Sequence, residues 1–354
     1  MRPSRRRVLG CLGCEGLTIA ILGKTLRLFL VDGTPSGIVV AEIINWSGQV
    51  IRVPRALLGD FLERRESNRT GVYLLVGDDE EVPGRLRVYV GESDNLGSRL
   101  RQHINDEDKS FWEVAYVATS KDQNLTKAHV LFLESQIIDG ATAVGRVSLE
   151  NTRVKPYESI PESDISDMTY FLQQISVLLP ALGIELFSPA NLEKERINVP
   201  SELPSGADRN TSVSQTLDRR QTLPAVTGSS PIDVILRDGV FNIEARGLEA
   251  NGEILVLKGL RARGENDSET NVYRPLRNRL IKEGKIAPTN DPRILEFASD
   301  VIFNSPSAAS AVILDRNDNG RTSWREQTTN NTLNAWYAEQ ANRAQQPPEE
   351  KSVP

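Results

Sequence analysis

The sequence predicts an α+β protein with two folded parts joined by a flexible linker. Three observations carry this. Short β-branched, partly alternating runs interleave with segments whose apolar residues recur at helical spacing. Between about Asn191 and Pro231, Pro, Ser, Thr, Asp and Arg dominate and apolar periodicity disappears. Strand-like and helix-like segments then resume over 232–338.

Taken in order, residues 1–21 read as an N-terminal extension. Ser4-Arg5-Arg6-Arg7-Val8-Leu9 resembles a twin-arginine export signal, but Glu15 interrupts the apolar run and no small-x-small site follows before Lys24. An extended start is the simpler reading. Residues 22–69 form a small α+β lead-in, with strands in TLRLFLVDG, GIVVAEIINW and QVIRVP and a short helix in ALLGDFLERRE. Over 70–190, strands at Gly71–Leu75 and Arg87–Val90 flank the acidic turn GDDEEVPG. Ser93 or Asp94 can cap a helix from Leu96 to Ile104. A third strand covers Trp112–Ala118, and helices follow over Leu125–Ile138 and Asp164–Leu179. Beyond the linker 191–231, the C-terminal α+β domain 232–338 has strands in GVFNIEARG and EILVLKG and helices over Arg274–Glu283 and Ser307–Ile313. Residues 339–354 read as a polar tail. The two parts look self-contained.

The chain has 354 residues and a formal net charge of −6, which argues against a histone-like, generally adhesive nucleic-acid binder. A local basic groove remains compatible with that sum. The two cysteines, Cys11 and Cys14, read as loose thiols in the extension, because the second pair of zinc ligands is missing. A chain without a disulfide framework fits a reducing cytoplasm. No stretch approaches the roughly 20 apolar residues of a membrane helix.

Two helices carry polar groups in positions that call for chemistry. Arg99 and His103 are four residues apart and share a face, beside an apolar stripe of Leu96, Leu100 and Ile104. Arginine can grip phosphate oxygens in a bidentate manner, and histidine can move protons near neutral pH. In the next helix Glu134 sits between Val130, Leu131, Ile137 and Ile138. A carboxylate there needs a cation or an arginine, so a metal ligand and a salt bridge both fit.

The ordered set Gly71-Val72-Tyr73, Tyr89-Val90-Gly91, Asn95-Leu96, Arg99, His103, Trp112, Glu134 and Asn151 resembles the GIY-YIG endonuclease superfamily over about residues 70–152. The resemblance implies a small three-stranded antiparallel sheet flanked by helices. It implies a catalytic set of Tyr73, Tyr89, Arg99, His103, Glu134 and Asn151. Glu134 would hold one divalent ion, Mg²⁺ or Mn²⁺, and Arg99 would stabilise the pentavalent phosphate. One tyrosine would help deprotonate the attacking water, His103 would assist proton transfer or hold phosphate, and Asn151 would organise the site. Several members carry a lysine three residues after the second tyrosine; here that residue is Glu92.

In the C-terminal part, Asp315-x-Asn317-x-Asn319-Gly320 with Glu326 fits the calcium-loop pattern of an EF-hand. Thr322 stands where that loop wants a hydrophobic residue, so a turn with a docked Trp324 is expected. The region also resembles a domain of unknown function often appended to GIY-YIG nucleases, through VLKG at 256–259, FNSPSAAS at 303–310 and Asn319-Gly320 with Trp324. Arg274, Arg277, Arg279, Lys282 and Lys285 make one of its helices basic, and Arg274, Arg277 and Lys282, with Arg101, are candidate DNA contacts. The expected function is therefore metal-dependent DNA hydrolysis. A non-catalytic DNA-binding or interaction protein on the same fold is the alternative.

Overall fold

The computed structural model describes residues 23–79, 81–82, 85–151, 160–187, 231–264 and 271–344. The expected N-terminal extension, with Cys11 and Cys14, lies outside the described residues, as do nearly all of the expected linker and most of the expected tail.

The chain is α+β, as its patterning predicts. The first part holds β1 (Leu26–Leu30), β2 (Val39–Ile43), β3 (Gly48–Pro54), α1 (Leu58–Leu62), β4 (Gly71–Asp78), β5 (Leu86–Ser93), α2 (Leu96–Ile104), β6 (Val114–Ser120), α3 (Lys127–Val144), β7 (Ser148–Leu149) and α4 (Glu162–Ala181). Its sheet has seven strands among the described residues, in the order β1-β2-β3-β6-β4-β5-β7. The expected lead-in is thus one sheet with the segment that follows it, because β3 pairs along its whole length with β6, from Gly48↔Ser120 to Pro54↔Val114. The antiparallel trio β5-β4-β6 lies inside this larger sheet.

Alternation along β4 explains why both faces are covered. Tyr73 and Leu75 point to the side packed by α1 and α2; Val72, Leu74 and Val76 point to the side packed by α3 and α4. Helix α2 runs over the predicted residues, but Asn95 rather than Ser93 or Asp94 caps it, accepting from Ser98 N at 2.8 Å. Helix α3 ends at Gly145 with φ +64°, a left-handed C-terminal cap that a side chain would strain.

The second part holds β8 (Ile232–Asp238), β9 (Ile243–Ala250), β10 (Glu253–Val256), β11 (Arg261–Arg263), α5 (Arg274–Lys282), β12 (Ile286–Pro288), β13 (Ile294–Phe297), β14 (Val301–Phe303), α6 (Pro306–Leu314), α7 (Gly320–Ser323), β15 (Trp324–Glu326) and α8 (Leu333–Arg343). The strands form a five-stranded sheet β14-β10-β9-β8-β15 and a three-stranded sheet β11-β13-β12. Helix α8 crosses the predicted boundary at residue 338. Leu333, Tyr337 and Ala341, spaced by four, give it a buried stripe that packs on α1 and α2. One core runs through both parts, joining Val53, Leu58, Leu100 and Trp112 to Val234, Phe303, Trp324 and Tyr337. The parts therefore do not pack as the independent blocks that the composition suggests.

Candidate active site

Strands β4 and β5 bring the two tyrosines together. Tyr73 pairs with Gly91 and Leu75 with Tyr89, so the rings sit diagonally on one face, their centres 6.3 Å apart. Gly91 makes room: a Cβ there would lie 2.3 Å from the Tyr73 hydroxyl. Tyr73 is completely buried, while Tyr89 is half-buried.

Helix α2 brings Arg99 and His103 to the same place, as their spacing predicts. His103 Nε2 is 2.7 Å from the Tyr73 hydroxyl, and Arg99 Nε donates to that oxygen at 3.3 Å. The pattern assigns the protons: Tyr73 directs its hydrogen to Nε2, and the imidazole carries its own on Nδ1. Arg99 also bonds Tyr89 and donates to Gln102 Oε1 at 2.8 Å. Burial is the main cause holding His103 down, to a pKa of about 4, and the charges of Arg99 and Lys109 add to it. Burial, then the neighbouring Tyr89, holds the Tyr73 phenol well above its usual range, with a smaller contribution from Glu134. The pair is thus a neutral imidazole bonded to a neutral phenol at pH 7.

His103 is only 4% exposed, so it does not meet solvent as its helical position suggests; its Nε2 is taken up by Tyr73. Glu134 is buried on α3 among Val130, Leu133, Ile137 and Ile138, close enough to act electrostatically on Tyr73. Asn151 accepts from Val90 N at 2.9 Å and donates to Val90 O at 2.8 Å, a strand-like clamp that fixes the residue beside Tyr89. Glu92 is buried and pairs with Lys127 at 2.5 Å. Lys109, which no motif singles out, places its Nζ 4.1 Å from the centre of the Tyr89 ring.

Among the described residues, no group of three or more His, Cys, Asp or Glu side chains could hold an ion by itself. Magnesium keeps several waters and binds through one or two carboxylates together with a substrate phosphate.

The basic residues of the C-terminal part divide. Arg277 is 2% exposed and donates to Val312 O and Arg263 O, with its Nε 3.5 Å from Asp315 Oδ1. It is a core staple and does not reach DNA, because its guanidinium is buried and engaged with those carbonyls and with Asp315. Arg274 leans on Asp315 at 3.8 Å, while Lys282 is exposed. Arg101 is half-buried on α2. The calcium-loop pattern is a turn, as expected. Asp315 is buried against Arg277 and Asn271; Glu326 accepts from Thr328 N, Thr329 N and the Thr329 hydroxyl. Trp324 is fully buried and donates to Pro306 O.

The fold and site thus define an α+β chain with a tyrosine–histidine–arginine cluster on one sheet face. Residues 237–337 match a family model described as a domain of unknown function (DUF4357), which agrees with the resemblance of the C-terminal part. The same comparison places no nuclease family on residues 70–152. Neither a curated protein nor a solved structure matches the chain. Among the described residues, no helix is long and apolar enough to cross a membrane.

Proposed function

We propose that this protein is a divalent-metal-dependent endonuclease that hydrolyses DNA phosphodiester bonds. The observation that carries the reading is the convergence of Tyr73, Tyr89, Arg99 and His103, with Glu134 in electrostatic reach. In hydrolysis a water oxygen bonds to phosphorus, the bond to the leaving sugar oxygen breaks, and negative charge grows on the phosphate. Arg99 is the group that stabilises this charge: its guanidinium is partly open to solvent beside Tyr89, and a phosphate oxygen can displace the Gln102 contact. Tyr89, the half-buried tyrosine, is the one a substrate reaches from solvent, and it orients the attacking water. The Tyr73 hydroxyl, bonded to His103 Nε2 and to Arg99 Nε, holds the guanidinium in place, and the proton of the attacking water passes to solvent as the sugar oxygen takes one up. An ion bound at Glu134 would add charge on the leaving side or lower the pKa of a water. Asn151 keeps Tyr89 in register through Val90.

The non-catalytic alternative drew on Glu92, an acidic group where a phosphate-facing lysine is expected. Its pairing with Lys127 removes much of that objection. The test is cleavage of plasmid, branched and single-stranded DNA with Mg²⁺ or Mn²⁺, comparing the natural chain with Glu134→Ala. We expect cleavage that Glu134→Ala abolishes while the chain stays folded. Lack of cleavage on every substrate would overturn the reading. Unchanged cleavage in the variant would remove Glu134 as the metal ligand.

A further inference from the structure

Lys109 ends a short 3-10 turn, Glu107–Lys109, and is half-buried with its ammonium over the Tyr89 ring. Among the described residues it forms no ion pair with a carboxylate. Its charge also reaches His103. The turn and the three residues after it have little regular structure, yet the four carbonyls from Lys109 to Trp112 are all held by guanidinium groups. Arg55, almost fully buried, donates to Lys109 O and Trp112 O at 3.4 Å each, and to Ile104 O at 3.1 Å. It also stacks 4.4 Å from the centre of the Trp112 ring. Arg321, from α7 in the C-terminal part, donates to Ser110 O at 2.8 Å and Phe111 O at 2.9 Å, and pairs with Glu113 at 2.8 Å. Arg55 is anchored in turn by Asn334 Oδ1 on α8.

Two buried guanidiniums on one short segment are costly to desolvate unless their donors are used, and here all but Arg55 Nε have partners. A staple that only joined the two parts could engage any carbonyl on their boundary. These two instead fix consecutive carbonyls of the segment that presents a cation to the tyrosine pair. The geometry points to a role for the C-terminal domain in the site: Arg321, and Asn334 through Arg55, hold the Lys109 turn so that its ammonium stands over Tyr89 as a phosphate-binding cation. Lys109 would then supply the positive charge missing at Glu92. Its substrate rests on the nuclease reading above; its placement does not. Arg321 and Arg55 are positioning residues, acting through Lys109.

The experiment uses the full chain and Lys109→Ala, Lys109→Arg, Arg321→Ala and the Lys109→Ala/Arg321→Ala double variant. Three quantities are measured: the His103 Cε1–H titration by NMR, cleavage with Mn²⁺, and binding of a labelled DNA duplex in EDTA across a salt series. Tyr73, Tyr89, Arg99, Asp106 and Arg55 act on His103 from the surrounding elements and stay constant in this set. Lys109→Ala should raise the pH at which His103 titrates and lower kcat/KM by about tenfold or more. It should also reduce the salt slope of binding by about one. Lys109→Arg should restore most of the loss. Arg321→Ala should move His103 in the same direction although Lys109 is intact, and the double variant should be no worse than Lys109→Ala alone. Should Arg321→Ala fail to fold, Asn334→Ala takes its place in the cycle. An unmoved His103 titration in Lys109→Ala overturns the placement of the ammonium, whether or not the chain cuts DNA. Additive losses in the double variant overturn the positioning role. A natural chain that cuts no DNA fails the nuclease reading alone; weaker binding of inorganic phosphate by Lys109→Ala than by that chain then supports the cation site, and equal binding overturns it.

Discussion

An imidazole closed in by a phenol and an arginine gives up its proton readily, and that has a measurable cost in acid. His103 takes a proton near pH 4 when folded and near its ordinary 6.5 when unfolded. Between those values the unfolded chain binds more protons, so the native state loses stability as pH falls from about 6.5 to about 4, and keeps it above that window. The difference is on the order of 3 kcal/mol. Chemical unfolding of the natural chain and His103→Gln at several pH values checks this: their stability gap should narrow toward pH 4. At the same scale, Gly91→Ala would push a methyl to within 2.3 Å of the Tyr73 hydroxyl. We expect a loss of about 1–3 kcal/mol from overpacking. The Tyr73–His103 bond should be disturbed, visible as a shifted His103 resonance. These residues were legible in the sequence through one helical period and one ordered motif. Spacing of four put Arg99 and His103 on one helix face, whereas Tyr73 and Tyr89 were singled out by the ordered motif, and only the register of β4 on β5 brings their rings together. Lys109 was not legible. It sits in a short turn, and the groups that hold it lie far along the chain, where no local period reaches.

At the scale of elements, patterning found α2 and α4 to within about two residues, since each carries a strong apolar stripe, while α3 runs on to Val144, past the expected end at Ile138. It passed over β8, β11 and the short strands from β12 to β15, most of them three or four residues long and too brief to show alternation. It also took the later half of α8 for a tail, because that helix shows water a polar face of Glu339, Gln340, Asn342 and Arg343. Helices α5 and α6 supply a sharper test. Asp315, in a left-handed conformation at the end of α6, neutralises the buried Arg277 of α5. Asp315→Ala should cost about 3–5 kcal/mol, because it strands that guanidinium. Calcium should leave the melting temperature of the natural chain unchanged, since Asp315 and Glu326 are already engaged. A calcium-dependent rise in that temperature would contradict the turn reading.

At the scale of the whole molecule, the shared core predicts one cooperative transition. A piece ending near Pro189 keeps all six proposed catalytic residues but loses the cover of α8 on α1 and α2, and the Asn334 anchor of Arg55. It should be far less stable than the full chain, with ragged unfolding by circular dichroism; a cooperative melt at the full-chain temperature would show that the first part stands alone. The candidate site in residues 70–152 could be picked out from a short window of sequence. Its dependence on residues beyond 300 could not, because a core shared across such a separation leaves no trace in either segment's own pattern.

The continuous core also changes what the covalent connection between the parts is for. If the parts recognise each other through Arg321, Tyr337 and the surfaces around them, the peptide bond between them mainly raises their effective concentration. Residues 1–190 and 231–354, made as separate polypeptides in one cell, should then find each other and co-purify as a heterodimer. A single proteolytic cut in the connection should leave a nicked protein that still migrates as one species and separates only in denaturant. For a gene, such a chain is one step from two: fission at that point would yield a pair of subunits that already fit.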